Sequence, residues 1–271
     1  KRIVSFFKDE QVVGAFLNGF IFVIIGFLFQ KFEEKNNYKK CLIILFISLA
    51  ILSMIFTGER SNTIKLLFGL AIFFYFNGKI KFKHMVIFVF SFIFSFFILY
   101  NYFLTFEGKN HIKHRYYNDL VQRLTIKEKR ENYIYFTLYK SGIEVFKLNP
   151  IFGVGNKNYR VESCLKENRK SSNYLCATHP HQIYLEFLSE HGLFGTLILL
   201  SILFYLIFKN YKKMIIKKNL IQLGCFCYLL TNFIPLLPGG SFFADFNATF
   251  FWLNFSIYYA INAETNIFNK K

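Results

Sequence analysis

The sequence predicts an all-α, polytopic membrane protein: a helix bundle of about seven spans, with a long extracytoplasmic loop forming a small helical cap. Three observations carry that expectation. The 271 residues are 54% hydrophobic, with 39 Phe and 17 Tyr, and the apolar residues fall in long blocks rather than alternating with polar ones. Lysine-rich connections alternate with connections that hold almost no lysine. One connection, residues 105–191, is far longer than the others. The chain therefore divides into residues 1–104 with four spans, 105–191 as the loop, and 192–271 with three spans.

The spans follow from helix geometry. A hydrocarbon core about 30 Å thick needs roughly twenty mostly apolar residues. Blocks 12–30, 85–104 and 242–262 reach that length. Blocks 41–57, 63–77 and 192–208 are shorter and span if flanking residues snorkel or lend a turn, and 220–237 completes the set. The connections KFEEKNNYKK (31–40), GKIKFKH (78–84) and KNYKKMIIKKN (209–219) hold four, three and five Lys. GERSN (58–62) and LPGGS (237–241) hold a single Arg between them. Positive loops stay in the cytoplasm, so residues 1–11, 58–62, 105–191 and 237–241 are expected outside. Spans that begin outside, without an initiator Met or a signal-peptide pattern, suggest the C-terminal part of a longer protein. The net charge of +17 is then mainly topogenic lysine facing anionic headgroups. Nucleic-acid binding would need a basic patch interleaved with polar readers on a soluble module, and none is visible.

Within the long loop, IKEKRENYIYFTLYKSGIEVFKLNP has helical spacing over 126–148, with Tyr133, Phe136, Lys140, Ile143 and Phe146 near one stripe and Pro150 ending it. A second, amphipathic helix is expected from Gln182 to about His191, lying at the interface before the chain dives at Gly192. Cys41, Cys225 and Cys227 fall in apolar spans and read as buried thiols. Cys164 and Cys176 lie in the external loop, where oxidation is available, and are spaced for a local disulfide. Zinc binding by Cys164, Cys176, His179 and His181 does not fit the spacing of zinc modules, so the disulfide is expected.

Four stretches carry candidate chemistry. In HPHQIYLEFLSEHGLFG (179–195), a helix would put His181, Leu185 and Leu188 on one face and Glu186 and Glu190 on another. Pro180 fixes the approach of the chain and leaves both imidazoles at a helix N-terminus, where the dipole disfavours protonation. A neutral imidazole there can act as general base toward a hydroxyl. In isolation, the same stretch also reads as a capped helix start with solvated glutamates. In TGERSNTIK (57–65), Arg60 stands in the short connection after the second span, with Lys65 just over one turn into the next. Either Glu59 and Arg60 form an outward anchor pair, or Arg60 is a bidentate site for phosphate oxygens. Lys65 should snorkel or face a watery cavity. NPIFGVGNKNYR (149–160) has Gly153 and Gly155 but no strand before them and no helix at the second Gly, so it reads as a structural turn. PLLPGGSFFADFNATFFW (235–252) reads as a tight external hairpin. Asp245 falls in the first turn of the next helix, where the dipole favours an anion and an external cation could reach it.

Taken together, these pieces resemble the O-antigen ligase/O-antigen polymerase superfamily of bacterial envelope glycosyltransferases. RIVSFFKDEQVVGAFL is similar to the family segment that enters a span after an external Arg, and TGERSNTIKLL to its Ser-Arg-Ser stretch. NPIFGVGNKNYR is similar to the Pro-x-x-Gly-x-Gly turn and PLLPGGSFF to the final hairpin. HPHQIYLEFLSEHGLFG resembles the His-Asn-x-x-Leu motif that closes on a Gly before a span, with Gln182 standing where the family carries Asn. The resemblance implies a metal-independent transferase without cofactor, working at the periplasmic face of the bacterial inner membrane. Its donor would be an undecaprenyl-diphosphate-linked glycan. Its acceptor would be a sugar hydroxyl of lipid A core (ligase) or of another lipid-linked repeat (polymerase). By motif, His181 would orient or deprotonate the acceptor, and Arg2 and Arg60 would hold the diphosphate. Lys65, His179, Gln182 and Glu186 would support substrate binding. A transporter with an extracellular cap is the rival class, but it would need ionisable residues near mid-span, and the spans carry almost none. A structural scaffold gives no reason for pairing His181 with Arg60.

Overall fold

The computed structural model describes residues 12–32, 37–78, 133–168, 171 and 173–267, with isolated positions between 90 and 125. Regular structure among these residues is helical: α1 (Val13–Phe32), α2 (Asn37–Thr57), α3 (Arg60–Asn77), α4 (Ile134–Leu148), α5 (Tyr159–Cys164), α6 (Ile183–Phe208), α7 (Tyr211–Lys217), α8 (Leu220–Thr231) and α9 (Asp245–Ala260). The block 85–104 and residues 126–132 of the expected loop helix lie outside the described residues, apart from isolated positions in the first.

Among the described residues, three helical stretches are long and apolar enough to cross a membrane: α1, α2 from Tyr38, and the run from Ile183 to Lys217 that contains α6. The expected short block 41–57 becomes a full-length span because α2 begins in the Lys-rich connection, at Asn37. The expected block 220–237 does not stay helical. α8 stops at Thr231 after twelve residues, about 18 Å at 1.5 Å per residue. Asn232 Nδ2 donates back to the Tyr228 carbonyl at 2.9 Å, and the residue before Pro235 is disfavoured in the helical region. Leu236 then adopts a positive φ of 61°.

The described residues fall into two compact units. One takes the described residues of 1–120, 210–232 and 250–271, the other those of 121–209 and 233–249. In the first, α1 packs against α2, α3 and α8. α1 and α8 approach closely at small residues: a Cβ on Gly26 would run into the Leu220 carbonyl, and one on Gly224 into that of Phe22. Helices in lipid gain little from burying apolar surface against one another, so close backbone packing and polar ties carry their association. Three such ties are Asn18 Nδ2 to the Asn62 carbonyl at 3.0 Å, Asn254 Nδ2 to that of Gly19 at 2.9 Å, and Leu220 N to Gln30 Oε1 at 3.1 Å.

In the second unit, α4 packs against α5 and α6, and the structural problem is the middle of α6. Gly192 has φ 64° and ψ −173°, which breaks the helical ladder within the continuous run. The turn after α4 repairs the break. Leu193 N donates to the Pro150 carbonyl at 2.8 Å and Phe194 N to that of Ile151 at 3.1 Å. Val154 N and Gly155 N donate to the carbonyls of Ser189 (3.0 Å) and Glu190 (2.8 Å). Two donors and two acceptors at the kink therefore find partners in one loop. Gly153 has φ 72°, and a Cβ there would meet the backbone of Glu190 and Gly192. The Gly-x-Gly turn is structural, and its partner is Gly192, within the histidine stretch.

Cys164, at the end of α5, is bonded to Cys176 with S–S 2.05 Å and Cα–Cα 4.4 Å. Two hydroxyls hold the returning chain nearby: Ser163 Oγ donates to the Ala177 carbonyl at 3.2 Å and Ser141 Oγ to that of Leu175 at 3.4 Å. Tyr159 is fully buried and donates to Ser141 Oγ at 2.9 Å. Together these deliver the chain to the start of α6 on a fixed path.

Candidate active site

His181 does not share a helical face with Leu185 and Leu188, as its spacing suggests. Gln182 is the N-cap of α6, in extended geometry, and its Oε1 accepts from Leu185 N at 2.8 Å. His181 therefore stands one residue outside the helix, with a positive φ of 56°, a conformation uncommon for any non-glycine residue. Two bonds to one residue hold it there. Gly239 N donates to the His181 carbonyl at 2.9 Å, and His181 Nδ1 lies 3.0 Å from the Gly239 carbonyl oxygen. A carbonyl can only accept, so Nδ1 carries the proton, and in the neutral ring Nε2 carries the lone pair.

His179 sits beside it, with ring centroids 4.0 Å apart, and its Nδ1 lies 2.9 Å from Thr178 Oγ1. Burial, and then the neighbouring His181, lower its pKa from 6.5 to about 4, with the Gly239 carbonyl partly opposing. The ring is thus neutral at neutral pH, with desolvation rather than the helix dipole as the leading cause. Tyr135, in the first turn of α4, meets the His181 ring edge-on at 5.6 Å.

The lowered pKa of His179 makes the stability of the fold depend on pH. Between about 4 and 6.5 the unfolded chain binds this proton and the folded chain does not, so stability falls as pH drops through that window and is complete above it. Thermal unfolding midpoints of the detergent-solubilised protein are expected to fall over this range, and less so in His179→Asn. An equally steep fall in the variant would contradict the assignment.

Gln182 and Glu186, which the motif resemblance assigns to substrate binding, are both buried. Gln182 is 5% exposed and spends its side-chain oxygen on the helix cap. Glu186 is 2% exposed and accepts from Ser241 Oγ and, at 2.9 Å, from Phe242 N. Glu190, buried as well, accepts from Lys157 N at 2.8 Å, so neither glutamate is solvated. The residues that sequence reasoning missed are Gly239, Ser241 and Phe242, in a hairpin read only as a turn. Tyr184 and Tyr139 tie the same hairpin down, donating to the carbonyls of Phe233 (2.7 Å) and Leu236 (3.2 Å). The available signal was the Pro-Gly-Gly-Ser run, whose backbone groups are open to partners.

Arg60 and Lys65 belong to the first unit. Arg60 is the first residue of α3 rather than part of a connection, and both side chains are half-buried. Glu59 is buried, and its carboxylate accepts from Gly14 N at 2.7 Å and Asn62 Nδ2 at 2.6 Å. It ties the start of α1 to the start of α3. Arg2 lies outside the described residues. Asp245 is exposed in the first turn of α9.

Residues 44–200, more than half of the chain, match the sequence profile of a family described as O-antigen ligase. The matched range runs from within α2 through the Gly-x-Gly turn and the histidine stretch into α6, and ends before the hairpin at 233–244. No curated protein and no solved structure matches the chain.

Proposed function

The chain belongs to the O-antigen ligase family, and from that premise we propose that it is a membrane glycosyltransferase of the ligase type. It transfers a glycan from an undecaprenyl-diphosphate carrier to a sugar hydroxyl of lipid A core at the periplasmic face of the inner membrane. About seven spans, four before and three after the loop 105–191, set that loop outside as a helical cap. Neither a metal nor a cofactor takes part.

The observation that carries this reading is the 3.0 Å contact between His181 Nδ1 and the Gly239 carbonyl oxygen. With Nδ1 donating to Gly239, Nε2 is the basic nitrogen of a neutral imidazole. It removes the proton of the acceptor hydroxyl as that oxygen bonds to the anomeric carbon. The bond from that carbon to the diphosphate breaks, and the undecaprenyl diphosphate leaves as an anion. Arg60 and Arg2 hold the diphosphate and stabilise the charge it gains on leaving, with Lys65 adding positive charge. His179, neutral and in contact with the His181 ring, supports acceptor binding.

A deletion strain tests the function directly. Full-length lipid-linked chains that remain unattached support ligation. An accumulation of single lipid-linked repeats overturns it in favour of a repeat polymerase. Normal attached glycan contradicts both.

A further inference from the structure

We infer that Glu186 is a positioning residue for His181, acting through the backbone of residues 239–242; this rests on the reading of His181 as the base. Glu186 is too buried, at 2% exposure, to meet a sugar or a diphosphate directly. Its two carboxylate oxygens are spent on neighbouring residues of the hairpin, one on Ser241 Oγ and the other on Phe242 N at 2.9 Å. Two residues upstream of that grip, Gly239 exchanges two hydrogen bonds with His181, one to its backbone and one to its ring. The ring bond decides which imidazole nitrogen is basic. The backbone bond holds the positive φ from which the ring projects.

The far side of the segment is also held. Asn247 Nδ2 donates to the Ser241 carbonyl at 2.8 Å, and a Cβ on Gly240 would run into the same amide. The segment is thus clamped between α6 and the first turn of α9, and Glu186 is its attachment to the helix that follows His181. A carboxylate five residues beyond the base sets the tautomer of that base without touching it. Ser241 and Gly239 lie beyond the matched range of the family profile, so this support is built from a part of the chain that the profile does not cover.

Hydrogen-bond geometry, rather than charge, is what such a role requires. A glutamine at 186 keeps both contacts, because its oxygen accepts from Phe242 N and its amide donates to a rotated Ser241 hydroxyl. A leucine keeps neither. The experiment compares Glu186→Leu, Glu186→Gln and Ser241→Ala in the full chain in detergent, using nitrogen NMR of isotopically labelled histidine and steady-state transfer. Glu186→Leu is expected to lose the single Nδ1-protonated tautomer of His181 and to lower kcat on the order of 10²-fold, the scale of a small misplacement, with donor KM unchanged. Glu186→Gln is expected to keep the tautomer and to stay close to the wild-type rate. Ser241→Ala removes one contact without burying a new group, so it reports even if Glu186→Leu fails to fold; it is expected to fall between the two.

An unaltered tautomer in both Glu186→Leu and Ser241→Ala overturns the inference. So does a Glu186→Gln variant that keeps the tautomer yet is inactive, since the carboxylate would then act by its charge. Should His181→Ala retain transfer, the reading of His181 as the base fails, while the tautomer measurement still judges the positioning.

Discussion

His181→Ala is expected to abolish transfer while leaving donor binding intact. A positioned general base contributes about 10²–10⁴-fold, and neither His179 nor His191 holds the same place. His179 has its Nδ1 at Thr178, and His191 stands at the far end of the helical segment that begins at Ile183, with Phe243 at 5.2 Å and Phe187 at 6.4 Å from its ring. Arg60→Ala is expected to weaken donor binding as well as transfer, by on the order of 2–4 kcal/mol for a lost charge-assisted contact to a developing anion. Arg60→Lys restores only part of this, because an ammonium cannot grip two oxygens as the guanidinium fork does. The measurements are transfer with purified lipid-linked donor and equilibrium binding of that donor. His191→Ala serves as the control and is expected to transfer at nearly the wild-type rate. A dead His191→Ala beside an active His181→Ala would reverse the assignment.

Gly192→Ala is expected to be among the most destabilising single changes in the second unit. At φ 64° and ψ −173°, the residue occupies a region that is essentially restricted to glycine, at a cost of about 1–3 kcal/mol for other residues. A Cβ there would also collide with the Ile151 carbonyl and with Gly153 N, adding an overpacking cost of about 1–3 kcal/mol. To relieve that clash the turn must separate from the kink, and four backbone hydrogen bonds go with it. Gly153→Ala meets the same interface from the other side and is expected to behave alike. Gly78→Ala is the comparison that separates strain from crowding: its φ is 61°, and nothing lies within 4 Å of a Cβ there. Unfolding midpoints in detergent should fall far more for Gly192→Ala and Gly153→Ala than for Gly78→Ala, and equal shifts would mean that the docked turn contributes little.

Much of the helical layout is legible in the sequence because it depends on local terms. The start of α1, the end of α2 at Thr57, the end of α4 just before Pro150 and the start of α6 at Ile183 all lie at or near the positions that apolar blocks, proline and spacing suggest. Local terms also mislead where a neighbour overrides them. Apolar composition alone carries α8 on to 237, whereas Asn232 and Pro235 end it at Thr231. Helical periodicity places His181 on a face with Leu185, whereas the Gln182 cap moves it off the helix. Glu186 and Glu190, at helical spacing, look solvated, yet both are buried against loops from elsewhere in the chain.

Composition and motif alone mark a helical membrane chain resembling the O-antigen ligase family, with a histidine stretch that meets a glycine before an apolar run. Those properties reside in composition, period and motif, which neighbouring residues express together. How the histidine is held depends instead on contacts made across the fold. The groups that make them stand far off along the chain: Gly239 is 58 residues from His181, and Ser241 is 55 residues from Glu186. Such contacts join backbone amides and carbonyls that every residue carries, so no residue type announces them. They exist because the kink at Gly192, the turn at Gly153 and the hairpin at Gly239 each leave backbone groups without partners, and burying those groups is favourable only when the chain folds to pair them.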